Sequence, residues 1–262
     1  MGFLKGLFGG REKSPPPPPS EKVLAIQDAL RARVQPCLRL RPGGEGPSRL
    51  GGEPELTGEW PVWKGGPMVF VAQLDLAEMR TAGGPDWLPA AGRLLFFCEP
   101  GAWGSDPEDA GGALVRHESA PAEPRLPPLD LPRKSRFKAT PVSFEAGESW
   151  PSQERLEIDW DTIGKHDYAA LEAFVEAHTP ETPMHQVGGY PDAVQDDAME
   201  EICQEMTNGP GGAQDWRLLL QVDSDRDRGM MWVDTGRLYF WIREQDARVG
   251  DFSKAWLIVQ SG

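Results

Sequence analysis

Long apolar runs are missing from this 262-residue chain, and none approaches the ~20 residues that cross a bilayer as a helix. The N-terminus also lacks the apolar stretch and small-residue cleavage site of a secretory signal, so the expected location is the cytoplasm. Cysteine is scarce. Cys37, Cys98 and Cys203 are odd in number, far apart and never spaced as CxxC. That spacing argues against a disulfide framework and a zinc knuckle, and leaves three small buried hydrophobes in a reducing compartment.

Positive charge is also short. With 27 basic against 41 acidic residues the net charge is −14, a field that repels phosphate backbones and anionic lipid. The densest basic stretch, Arg133-Lys134-Ser135-Arg136-Phe137-Lys138, reads as a solvated strand end, and no nucleic-acid partner is expected. Catalytic signatures are absent too. His117, His166, His178 and His185 show neither HxH nor HExxH spacing, and no Gly-x-Ser-x-Gly elbow occurs. Gly65-Gly66-Pro67 and Gly188-Gly189-Tyr190-Pro191 lack the lysine of a phosphate loop, and proline removes a donor; both read as turns.

What the chain does have is 30 Gly and 26 Pro, which favour short elements joined by turns over a helical bundle. Residues 1–19 stand apart as a flexible foot and linker. Phe3, Leu4, Leu7 and Phe8 would share one helix face, and Pro15 to Pro19 would form a stiff polyproline spacer. Two turns of helix are marginal in water, and any membrane contact is expected through this foot alone.

Residues 20–262 read as one domain. Ser20 is a good N-cap, Val23, Ile26 or Gln27, Leu30 and Val34 make a stripe, and Pro36 should end that helix. Strands are expected at 37–41, 68–75, 92–98, 113–117, 136–144, 214–223, 230–233, 236–242 and 255–260, with helices at 167–178 and 192–206. The segments 99–112 and 119–135 read as surface loops. His178 falls on the apolar face of its helix and is expected in the core.

Self-comparison is the most informative step. Ser48-Arg49-Leu50-Gly51-Gly52-Glu53-Pro54-Glu55 aligns with His185-Gln186-Val187-Gly188-Gly189-Tyr190-Pro191-Asp192. Phe70-Val71-Ala72-Gln73-Leu74-Asp75 aligns with Leu218-Leu219-Leu220-Gln221-Val222-Asp223, and Gly92-Arg93-Leu94-Leu95-Phe96-Phe97 with Gly236-Arg237-Leu238-Tyr239-Phe240-Trp241. The expected fold is therefore α+β: an internally duplicated mixed or antiparallel sheet with a few packed helices and a pseudo-twofold axis. Its repeat halves are about 48–98 and 185–242. The Gly-Arg-Leu strands should lie centrally. Gln73, Asp75, Gln221 and Asp223 should meet at strand ends, forming with His185 and Tyr190 a shared binding seam.

The same blocks carry a resemblance. Trp60-Pro61 … Gly66-Pro67-Met68-Val69-Phe70-Val71-Ala72-Gln73-Leu74-Asp75, then Leu88-Pro89 … Gly92-Arg93-Leu94-Leu95-Phe96-Phe97, is similar to the YwqG-like bacterial family, a domain family of unknown function. So is Gly188-Gly189-Tyr190-Pro191 … Leu219-Leu220-Gln221-Val222-Asp223-Ser224-Asp225 … Met231-Trp232-Val233-Asp234-Thr235-Gly236. The resemblance spans roughly 22–260 and implies a duplicated α+β fold, with no activity attached. One departure is Val233, where the family pattern leads one to expect Gly.

Two clusters could carry function. Asp223, Asp225, Asp227 and Asp234 fall at positions one, three, five and twelve of a calcium-loop spacing. Position six is Arg228 where an EF-hand needs Gly, position twelve is not Glu, and a strand precedes the loop. An EF-hand is ruled out. A looser calcium or magnesium site stands against a polar turn in which Arg226 and Arg228 neutralise the acids; no other cofactor is indicated. His185 would become a general base only if the fold brings it near Asp223 or Asp225.

Trp216, Trp232, Trp241 and Trp256 should be core. Trp60, Trp63, Trp87 and Trp103 lie in Gly/Pro-rich segments, where they either anchor loops or form an interaction surface. Without an enzyme signature, the leading expectation is a non-catalytic intracellular module that binds another protein. A basic partner suits the −14 surface, and toxin neutralisation or an adaptor role are concrete forms. A metal-dependent enzyme or regulator on the acidic loop, and a peripheral membrane scaffold using residues 1–8, are the rivals.

Overall fold

Apolar runs of five to eight residues punctuated by Gly and Pro are too short for stable helices but long enough for strands. The computed structural model describes residues 18–262 except Glu157; the N-terminal foot lies outside the described residues.

The chain opens with α1 (Glu21–Arg31), where Ser20 Oγ accepts the Val23 N–H at 3.4 Å and Val23, Gln27 and Leu30 form the buried stripe. Next come β1 (Gln35–Pro42), β2 (Arg49–Leu50), the hairpin β3 (Val62–Trp63) and β4 (Gly66–Pro67), and β5 (Val69–Asp75). The first half is completed by α2 (Leu76–Thr81), β6 (Arg93–Cys98) and β7 (Ala113–Glu118). Then follow β8 (Thr140–Ser149), α3 (Lys165–His178), β9 (Gln186–Val187), α4 (Met199–Thr207), β10 (Trp216–Asp223), β11 (Arg237–Arg243), α5 (Glu244–Arg248) and β12 (Trp256–Gln260).

Ten strands form one sheet in the order β12-β11-β10-β9-β1-β8-β2-β5-β6-β7, and each pairing is antiparallel. The fold is thus α+β with an antiparallel sheet. β6 and β11 lie far apart in that order, yet the rings of Phe96 and Phe240 meet edge-on at 5.2 Å. The sheet therefore curls upon itself. Its ends approach through the loop after β6: Val259 N–H donates to the Trp103 carbonyl at 2.9 Å and Trp256 Nε1 to the Gly104 carbonyl at 3.0 Å. Gly104 is required there, because it has φ +82° and a Cβ would collide with the Leu257 carbonyl oxygen.

Alternation along the strands separates two faces. Leu94, Phe96, Leu238, Phe240 and Ile242 point into the curl and form the main core. On the outer face, Leu95 and Phe97 meet Leu56, Met68 and Phe70, while Tyr239 and Trp241 meet Met199 and Cys203 of α4. A separate cluster, Val23, Leu30, Leu171 and Phe174, joins α1 to α3.

Several expectations need correction. The Gly-Arg-Leu strands β6 and β11 are not central but second from each end; curling, rather than position, covers both their faces. Pro36 sits within β1, because the helix has already ended at Arg31 and an edge of the strand tolerates a missing donor. The helix expected at 192–206 begins only at Met199. Residues 230–233 form no strand: Met230 makes one isolated bridge to Asp225, and Val233 has φ +52°, outside β space. That left-handed backbone explains why Gly would be expected at this position.

Candidate functional site

Gln221 of β10 is fully buried. Its Oε1 accepts the Asp192 N–H at 2.9 Å, and its Nε2 donates to the Met184 carbonyl at 3.3 Å. The Asp192 carboxylate pairs with Arg237 of β11, whose Nε donates to Asp223 Oδ1 at 3.1 Å. Asp223 Oδ2 accepts the Met184 N–H at 3.0 Å, and the Asp223 N–H donates to Nδ1 of His185 at 3.1 Å. This network ties the Gly188-Gly189 turn to the end of β10.

A parallel set occurs around β5. Gln73 Oε1 accepts the Glu55 N–H at 2.9 Å and its Nε2 donates to the Pro47 carbonyl at 3.1 Å. Glu55 pairs with Arg93, and Ser48 Oγ accepts the Asp75 N–H at 2.8 Å, where His185 serves in the other network. Asp75 differs from Asp223 in capping α2, accepting the Glu78 N–H at 2.9 Å. Of the expected seam, Gln73 and Asp75 therefore belong to one network and Gln221 and His185 to another. The strands β9, β1, β8 and β2 lie between them. Tyr190 stands just past the Gly-Gly turn, with its ring beneath the Arg155 guanidinium at 4.9 Å.

In the acidic loop, Asp223 and Asp225 point inward and are buried, while Asp227 and Asp234 are exposed. Asp225 receives the Asp227 N–H at 3.1 Å and the Arg228 N–H at 3.3 Å, and pairs with the Arg228 guanidinium. Asp223 is held by Arg237. Each buried acid thus faces a resident cation, and among the described residues no three metal-ligating side chains converge. His185 is 7% exposed. Burial, helped by Arg228 and Arg237 and opposed by Asp223, pushes its imidazole down to about 4. Its Nε2 lies 3.7 Å from Asp225 Oδ2. The neutral ring is tied to the strand end through Nδ1, while Nε2 faces the loop beyond hydrogen-bond distance.

The four loop tryptophans do not share one surface. Trp60 donates to the Met68 carbonyl at 2.9 Å and packs edge-on against Phe97 at 5.6 Å. Trp63 donates to the Ala110 carbonyl at 3.0 Å, and Trp87 is buried in the main core. Trp103 is 38% exposed beside the closure of the sheet. Trp216, Trp232, Trp241 and Trp256 are all buried.

A concave feature with stacked aromatic walls lies elsewhere. α3 stands off the outer face of β1, β8 and β9 and leaves a cleft of 520 Å³. Trp150, Phe174 and His178 stack along one wall, with Trp150 to Phe174 centroids 5.5 Å apart and Trp150 to His178 4.0 Å. His178 is accordingly half-buried in this wall rather than in the core, its Nδ1 2.6 Å from the Phe174 carbonyl. Trp160 and Tyr168 meet edge-on at 6.2 Å on the rim and are 42% and 54% exposed. Tyr190, Asp192 and Asp197 line the opposite side, where Asp197 and Glu200 grip Arg155. Of these residues only Tyr190 and the helical face of 167–178 stood out in the sequence. Trp150 and Trp160 come from a connection whose partner, α3, arrives only through folding.

No curated protein matches the chain. A family described as a domain of unknown function (DUF1963) matches residues 48–261. This stretch takes in the Gln221 network, nearly all of the Gln73 network, the acidic loop and most of the cleft, though not Leu30 and Arg39, and the chain belongs to that family.

Proposed function

We propose that the protein is a non-catalytic binding module that holds a segment of a partner protein in the cleft beneath α3. The observation that carries this reading is the exposed pair Trp160 and Tyr168 at the rim of a 520 Å³ aromatic-walled cavity. Large amphipathic rings supply contact area at small entropic cost, and they mark binding hot spots. Two acids that line the cleft are committed to structure: Asp192 to Arg237, and Asp197 to Arg155. A net charge of −14 would speed encounter with a basic partner. The cytoplasm, where unpaired thiols stay reduced, suits its three free, buried cysteines.

Within its family the domain is proposed to be YwqG-like and internally duplicated about a pseudo-twofold axis between β1 and β8. Supporting this are the palindromic strand order, the bulges at Phe70/Ala72 and Leu218/Leu220, and the matched hydrogen bonds of Gln73 and Gln221.

The binding reading is tested by panning a displayed peptide library against the full chain. Enriched peptides should lose binding to the Trp160→Ala, Tyr168→Ala double variant, whose altered side chains are exposed and leave the fold intact. Peptides that bind wild type and variant alike would place recognition elsewhere.

A further inference from the structure

The cleft holds a charge with no counter-charge in contact with it. Arg39 projects from β1, between β8 and β9, and lines the cleft while only 8% exposed. Its guanidinium donates to the Glu148 carbonyl at 2.9 Å and to Gln186 Oε1, and touches Met184 Sδ. All three acceptors are neutral. No carboxylate among the described residues lies within ion-pair distance; burial pushes the guanidinium below its ordinary value, and Asp192, already paired with Arg237, opposes this only through space.

The other buried or half-buried arginines show how unusual this is. Arg155, Arg228 and Arg237 each meet one or two carboxylates. Arg136 and Arg243 have none, but both lie away from the cleft: Arg136 donates to the carbonyls of Pro128, Leu129 and Leu131, and Arg243 stacks on Trp216 at 4.4 Å. A buried charge is costly unless something pairs with it, so an unpaired guanidinium facing an open cavity points to an anion supplied from outside. A second polar group points the same way. Ser152 Oγ, also lining the cleft, is buried and has no hydrogen-bond partner among the described residues.

Resting on the binding-module reading, we propose that the cleft captures the free C-terminal carboxylate of a partner polypeptide, with Arg39 supplying the charge and Ser152 a hydroxyl. The terminal apolar side chain packs against Trp150 and Phe174. Guanidinium is the side chain best matched to a carboxylate. Long-range charge selects a polypeptide over a small acid: a chain at −14 repels free anions but attracts a basic polypeptide that ends in a single carboxylate.

Isothermal titration of the full chain with N-acetylated, lysine-containing pentapeptides ending in Phe, Leu or Trp tests this. Each peptide is compared as free acid and as C-terminal amide. The acids should bind, the amides at least tenfold more weakly, and Arg39→Gln should abolish the difference. The amide arm reads the same contact on unaltered protein should Arg39→Gln fail to fold. Equal binding of acid and amide overturns the carboxylate proposal and leaves the module reading standing. So does binding of internal library peptides when no acid binds. Binding of 3-phenylpropionate as tight as that of the peptide acids overturns the polypeptide assignment in favour of a small acid. If neither these peptides nor the library bind, both readings fall.

Discussion

The backbone N–H of Asp223 donates to Nδ1 of His185 at 3.1 Å, joining the end of β10 to the strand before the Gly-Gly turn. An accepting Nδ1 fixes the neutral tautomer with its proton on Nε2, facing Asp225. Protonating Nδ1 would break this bond inside a buried cluster of Asp223, Asp225, Arg228 and Arg237.

Stability should therefore fall in mild acid. The folded imidazole sits at about 4 against roughly 6.5 in the unfolded chain. The unfolded state takes up a proton first, so this contribution is complete above the unfolded value and is lost as pH falls from there towards the folded one. The loss at about pH 5 is on the order of 2 kcal/mol. Urea unfolding across this range measures it, and His185→Gln should flatten the profile. An unchanged slope in that variant would assign the acid sensitivity to other groups.

Gln73 and Gln221 each satisfy one buried N–H and one carbonyl. Replacing either by Leu leaves both groups unpaired and should cost about 2–4 kcal/mol. If the two networks are equivalent, the two costs agree within about 1 kcal/mol and add in the double variant, because distant sites act independently. Chemical denaturation of the three variants checks this, and sharply unequal losses would count against equivalence.

Val233 holds φ +52° while half its surface faces solvent. A β-branched side chain is strained there. Val233→Gly relieves that strain but adds unfolded-state entropy; the net gain should be about 1 kcal/mol, seen as a rise in melting temperature.

Asp223 and Asp225 already have arginine partners, so calcium or magnesium would have to displace them. Millimolar amounts of either ion should leave the melting temperature unchanged relative to a chelator control. Removing the resident cation by Arg228→Gln should, in contrast, destabilise the loop and make calcium stabilising. A shift in wild type would restore the acidic loop as a metal site.

The strands that bury both faces were the most legible elements. β5, β6, β10 and β11 announce themselves as apolar runs, and Ser20 announces α1, because these signals are local. The two-residue strands β2 and β9 are invisible to periodicity, since only pairing with distant neighbours defines them. Aligned repeats exposed Gln73 and Gln221 as special but not their role, which is to satisfy backbone from another element. Arg39 reads in sequence as the polar residue of an alternating strand. Its burial comes with its contacts to Glu148, Met184 and Gln186, 109 to 147 residues away in the chain. Residues 230–233 look like a strand because Met, Met, Trp and Val are apolar, yet a tight turn prevails there.

The clasp of Trp103 and Gly104 over β12 has a further consequence. A terminal strand normally offers a row of open donors and acceptors to any extended peptide. Here the outward N–H of Val259 is already taken and the Trp256 indole bolts the covering loop in place. Recruitment by strand addition, and the fibre-like stacking that follows from it, is thereby obstructed at this border.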